Sequence, residues 1–146
     1  MKTTHHLIFA AIVLQLAAST PAAVISETGV HLLAKPSDRA GAYLLALGQI
    51  DSGNDDTKPG TSGEVGRYQC CPRYWKAATS LPLSAALNPI TSAAVCLAII
   101  RQRTGRDAGE LTPEQFAKAW HRPYGRMTPE LRDYIKRFEN LLTAQK

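Results

Sequence analysis

Residues 46–75 read ALGQIDSGNDDTKPGTSGEVGRYQCCPRYW, and the way this stretch is read decides the architecture. It starts inside an apolar run, turns polar at Asp51, and then carries Gly53, Pro59, Gly60, Gly63 and Gly66 before Pro72. Such a chain leaves a helix, crosses a loop and re-enters helix at Pro72, because proline fits the first turn of a helix and no later one. Unstructured loops as long as 51–66 are uncommon and often functional. A short β-hairpin inside 51–66 is one way to organise it. Asp51 then has two readings. It is a turn residue bonding its own backbone, or it is a carboxylate set for chemistry between apolar helix and solvated loop. Partial burial would raise its pKa and let it hold a proton for a leaving group.

Working outward, the pattern predicts five helices and no long strand. The first starts near Ser37 or Asp38 as N-cap and runs through RAGAYLLALGQI, with Tyr43, Leu47 and Ile50 on one stripe and Gly53 at its stop. The second, PRYWKAAT, opens at Pro72 and turns Trp75 inward. The third is capped by Asn88, opened by Pro89 and stopped by Gly105, with Ile90, Ala94, Leu97, Ala98 and Ile100 as its apolar set. The fourth begins LTPEQ, where Thr112 and Gln115 have capping-box spacing, and runs to about His121. The fifth opens at Thr128 and Pro129, and buries Leu131, Tyr134, Ile135, Phe138, Leu141 and Leu142. The fold class expected is mainly α: a small helical domain over 38–146 with a long polar loop or short β-hairpin beside a cleft.

The 146 residues bound one domain. Lys2 precedes an apolar run over 7–18, followed by Ser19, Thr20, Pro21, Ala22 and Ala23. That is the layout of a secretory signal peptide over 1–23; the run is shorter than the roughly 20 residues a membrane-spanning helix needs. Residues 24–37 are an N-terminal lead with no strong period. An exported chain, periplasmic or secreted, is expected, with no membrane span after cleavage. Losing Lys2 takes the formal charge from +5 to +4. The positive residues are scattered, so the charge is a mild bias towards anionic partners and not a motif. Export makes nucleic acid the least expected of them. The three cysteines, Cys70, Cys71 and Cys96, form no Cys-x-x-Cys pair, so a zinc site is not expected. Export permits a disulfide from Cys96 to Cys70 or Cys71; the alternative is that all three are small buried apolar residues.

Glu64 is the second carboxylate of interest and could face Asp51 across a folded loop. Glycoside cleavage often uses such a pair; the plainer reading is an exposed Glu beside an Arg. Tyr68, Gln69, Tyr74 and Trp75 follow the loop, and aromatic faces with an amide suit a sugar. Core burial is the other reading, above all for Trp75. Trp120 and His121, in WHRPYG, add a second aromatic and basic edge, where His121 reads as a capping or surface residue.

The two segments of 46–75 together resemble the lysozyme-like superfamily, which includes soluble lytic transglycosylases and goose-type lysozymes. In that family a helix ends in Glu-Ser-Gly, a glycine-rich loop follows, and a segment ending in Gln has a Pro a few residues on. Here the positions read Asp51-Ser52-Gly53, then Gly63 to Gln69 as GEVGRYQ, then Pro72. NPITSAAVCLAIIRQRTG and LTPEQFAKAWHRPYG are similar to short bacterial members, so the likeness covers about 40–125. It implies cleavage of the β-1,4 bond between N-acetylmuramic acid and N-acetylglucosamine in peptidoglycan. Asp51 is then the acid, Glu64 a second carboxyl, and Ser52, Arg67, Tyr68, Gln69 and Tyr74 bind substrate. Neither a metal nor an organic cofactor is implied, and a monomer is expected. The departure is at the acid itself, Asp for Glu. One missing methylene leaves the proton about 1 Å short, which can cost on the order of 100-fold in rate. Three readings stay open: Asp51 acts on a shifted backbone, Glu64 carries more of the work, or the chain is a catalytically weak or inactive glycan-binding cell-wall protein.

Overall fold

The chain folds around α3, Pro89–Thr104, which is buried on two sides. In the computed structural model, which describes residues 39–145, it is joined by α1 (Arg39–Ser52), α2 (Pro72–Ala78), α4 (Pro113–His121) and α5 (Pro129–Ala144). Two 3₁₀ turns, Leu83–Leu87 and Ala108–Glu110, flank α3 in the chain. The described residues are mainly helical and contain no sheet, as the periodicity predicts. The expected signal peptide over 1–23, the expected lead over 24–37 and the expected N-cap of the first helix all fall outside the described residues.

Local chemistry sets the helix ends. The Asn88 side chain accepts hydrogen bonds from the Ile90 and Thr91 N–H groups, and Gly105 ends α3 in the left-handed region. Thr112 and Gln115 form a reciprocal capping box on α4, and Thr128 caps α5 through the Leu131 N–H. Each such cap contributes about 1 kcal/mol.

α4 and α5 pack closely on each other, and α1 lies against α5. Between them, Tyr43, Phe116 and Phe138 form an aromatic centre with ring centroids 4.9 to 5.7 Å apart. Tyr43 donates its hydroxyl to the Leu111 carbonyl at 2.9 Å, so its polar end is satisfied. A second cluster holds Trp75, Cys70, Ala86, Val95 and Ile99. α3 divides the two: Ala93, Cys96 and Ile100 face the aromatic cluster, while Val95 and Ile99 face Trp75. Of the apolar set expected for α3, Ile100 is fully buried. Ile90, Ala94, Leu97 and Ala98 are only partly buried, and the two buried edges lie beside them. A helix buried on two sides is apolar nearly all round, so its period cannot select one face.

The three cysteines are free thiols. Cys96 is buried on α3 and Cys70 lies under the loop, as small apolar residues would, while Cys71 is half-buried. No described helix is long and apolar enough to cross a membrane.

Candidate active site

Asp51 occupies the last turn of α1, and three helices meet at its carboxyl. The Trp120 indole, at the end of α4, donates to Oδ2 at 2.9 Å. The Tyr134 hydroxyl, from the core face of α5, donates to Oδ1 at 3.0 Å. These partners lie 69 and 83 residues away in sequence. A turn aspartate would bond its own backbone instead. That role belongs to Asp55, whose carboxylate accepts from the Thr57 N–H and hydroxyl, both at 2.8 Å. The opening stretch therefore divides its work: Asp55 makes the turn and Asp51 faces inward.

The setting changes the acid. Burial pushes the Asp51 carboxyl up from 3.8 to about 6, against the Trp120 and Tyr134 hydrogen bonds and the Lys58 and Arg137 charges, all of which pull it down. Tyr134 is itself pushed up, by burial first and then by the neighbouring Asp51 charge, so it stays a neutral donor. Its ring stacks on His121, with centroids 4.1 Å apart and planes 11° apart. Burial, with Arg122 and Arg137 nearby, holds His121 below its ordinary value, which leaves it neutral at pH 7.

Asp51 lines a cavity of about 490 Å³, within the usual range for ligand sites. One wall is the 51–66 loop, through Lys58, Gly60, Thr61 and Glu64; facing residues include Tyr74, Arg103 and Trp120. Loop 51–66 thus borders a cleft, as its length and composition predict. The hairpin reduces to two isolated bridges, Pro59 to Val65 and Val65 to Cys70. A bidentate ion pair from Arg67 to Asp56, at 2.8 and 3.0 Å, ties its two arms. At Gly66, φ is +78°, and a Cβ there would sit 2.5 Å from the Ala86 carbonyl oxygen, so only glycine fits.

Of the residues singled out in the sequence, Asp51, Glu64, Gln69, Tyr74, Trp120 and His121 come together on this cavity. Glu64 accepts the Ser62 N–H at 2.8 Å, which shapes the loop tip. Gln69, at φ +46°, spends its amide N–H₂ on the Lys58 and Gly66 carbonyls at 2.9 and 2.8 Å. Tyr74 lies between the Arg73 and Arg103 guanidinium groups, 4.5 and 4.4 Å from its ring centroid.

Three expected substrate residues are corrected. Ser52 is buried and turned back on its own helix, donating to the Gly48 carbonyl and accepting the Asp55 N–H. Arg67 is held by Asp56 and does not line the cavity. Tyr68 belongs to the aromatic core at 5% exposure, where an apolar ring gains more than at the rim. Trp120 is expected as an aromatic edge and Tyr134 on the buried face of the last helix; their bonds to Asp51 are not, and the signal for them is that each has a polar tip that needs a partner when buried.

No family model, curated protein or solved structure matches the chain.

Proposed function

We propose that this chain is an exported glycoside-cleaving enzyme of lysozyme or lytic transglycosylase type, acting on β-1,4 bonds between N-acetylmuramic acid and N-acetylglucosamine. One observation carries the reading: a half-buried carboxyl, raised to about 6, faces a 490 Å³ cavity while two aromatic donors hold its oxygens. A leaving-group acid needs that combination. Its pKa must lie near working pH, and its oxygens must be fixed towards the bond that breaks.

In this reading Asp51 gives its proton to the departing glycosidic oxygen as the bond to the sugar carbon breaks. The Trp120 and Tyr134 donors then stabilise the carboxylate that remains. Indole N–H is a donor only, so the acidic proton is never shared with Trp120. It lies either towards Tyr134, whose hydroxyl turns to accept it, or on a lone pair facing the cavity. The nucleophile is water, or a hydroxyl of the same sugar. Its proton passes to ionised Asp51 or to Glu64 on the loop wall. Trp120, on the cavity wall, offers ring surface to the sugar, and Tyr74, its ring flanked by Arg73 and Arg103, meets it at the ring edge.

The test is incubation of the mature protein with purified peptidoglycan, with released fragments read by mass. Anhydro ends identify a transglycosylase and reducing ends a lysozyme. Asp51→Asn should abolish either product while leaving glycan binding in place. Binding without release by the parent would overturn the enzyme reading in favour of a glycan-binding wall protein.

A further inference from the structure

The main cavity shares Arg103 with a second one of about 220 Å³, lined also by Arg106, Lys118 and Gln115. No Asp or Glu lines this second cavity. Ion pairs among the described residues join Arg67 to Asp56, Arg101 to Asp107 and Arg137 to Asp133. Arg103, Arg106 and Lys118 therefore have no carboxylate partner among them.

Arg103 is the unusual member. It is half-buried, and burial pulls its guanidinium down from its ordinary value. Its Nη1 donates to the Ala119 and Trp120 carbonyls at 2.7 and 2.9 Å, and its plane lies over the Tyr74 ring. Those contacts fix the fork and leave Nε and Nη2 without a protein acceptor among the described residues. A partly desolvated cation with two oriented donors and no counter-charge is complementary to a planar anion, which it can grip bidentately. In the main cavity Asp51 and Glu64 both face the ligand and disfavour an anion. The acid-free second cavity does not.

We infer that Arg103, which lines both cavities, is the specificity-determining residue for a carboxylate substituent on the glycan, with Arg106 and Lys118 attracting the same group from the second cavity. This rests on the glycan reading of the main cavity and adds the ligand's charge to it. The sugar backbone lies against Asp51 and Tyr74, and its acidic side group turns towards Arg103. A neutral amino-sugar chain leaves the Arg103 fork unpaired and binds more weakly for that reason.

Titration calorimetry on the full chain carrying Asp51→Asn, which prevents turnover, provides the test. The probes are a neutral N-acetylglucosamine hexamer and an alternating hexamer bearing a lactyl-ether carboxylate on every second sugar. The carboxylated chain should bind about tenfold tighter or more, the range of a charge-assisted hydrogen bond. Arg103→Gln should erase the preference. Because Arg103 also holds two backbone carbonyls, the Arg106→Gln, Lys118→Gln double variant is a second readout should Arg103→Gln fail to fold. It should lower the preference by about two- to fourfold and leave the neutral hexamer's affinity unchanged. Equal binding of both hexamers by the Asp51→Asn chain, or a preference that the double variant leaves undiminished, would overturn the subsite while the glycan reading stands. Binding of neither overturns both.

Discussion

Replacing Asp51 by Asn tests the half-buried acid without any substrate. The folded-state value, about 6, lies above the ordinary 3.8. A carboxyl shifted in that direction contributes stability that is fully present below about pH 4 and is lost as pH rises through about 6. A shift of roughly two units corresponds to about 3 kcal/mol, at 1.36 kcal/mol per unit. Asn is close to isosteric and has no charge to desolvate. Its oxygen can accept from Trp120 while its amide donates to Tyr134, whose hydroxyl turns to accept, so neither partner is orphaned. Asp51→Asn should therefore match the parent below about pH 4 and exceed it by about 3 kcal/mol above pH 7. In a domain of this size that is on the order of 10 °C in Tm. Urea unfolding of both proteins across pH 3.5 to 8 gives the difference curve, in which the other carboxylates cancel. Parallel curves, within about 0.5 kcal/mol at every pH, would refute a raised Asp51 and remove the basis for its role as an acid.

Other expectations follow from the same contacts. If cleavage is found, its rate should fall as pH rises through about 6, where Asp51 loses its proton; Trp120→Phe removes a hydrogen bond that favours the ionised form and should move that limb up by about one unit. Denatured protein should titrate with three thiols, all free. In the native state half-buried Cys71 should react first, since burial pushes Cys70 up to about 12 and raises buried Cys96 as well; fast labelling of Cys96 would contradict its place in the core. Gly66→Ala forces a Cβ against the Ala86 carbonyl at positive φ and should cost more than about 2 kcal/mol by urea midpoint.

The helices were legible because their ends carry chemistry that acts locally. Asn88, Thr112 with Gln115, Thr128 and the prolines behind them specify caps within one turn, and each is found in place. α5 was legible along its length, since one face is polar and Leu131, Tyr134, Ile135 and Phe138 fill the other. α3 was legible in extent and not in orientation, because burial on two sides erases the contrast that periodicity reads. The site was half legible. A carboxylate at a helix end before a glycine-rich loop marks Asp51, and the loop's length marks the cleft wall. What holds the acid was not legible, because Trp120 and Tyr134 reach it from 69 and 83 residues away, through packing that no local pattern encodes. The residues found off the cavity have a local reason. Ser52, Arg67 and Tyr68 sit in a segment whose neighbours line the cavity, but left-handed backbone at Gly53, Gly66 and Gln69 turns successive side chains to different sides.

The energetics of Asp51 argue for a role beyond structure. Burying a carboxyl here costs the fold about 3 kcal/mol at neutral pH, a large fraction of what a domain of this size has to spare. That cost stands after the hydrogen bonds from Trp120 and Tyr134 have pulled the carboxyl down. An amide would receive much the same bonds without the desolvation, so a purely structural position would be better served by Asn. What Asp51 supplies and Asn lacks is a proton that can leave and return near pH 6, at a point that opens onto a cavity walled by Tyr74, Trp120 and the 51–66 loop. The missing methylene relative to a Glu then has a physical setting. A side chain clamped at both oxygens from α4 and α5 has little freedom to swing, so a shorter acid has its reach fixed by where three helices meet.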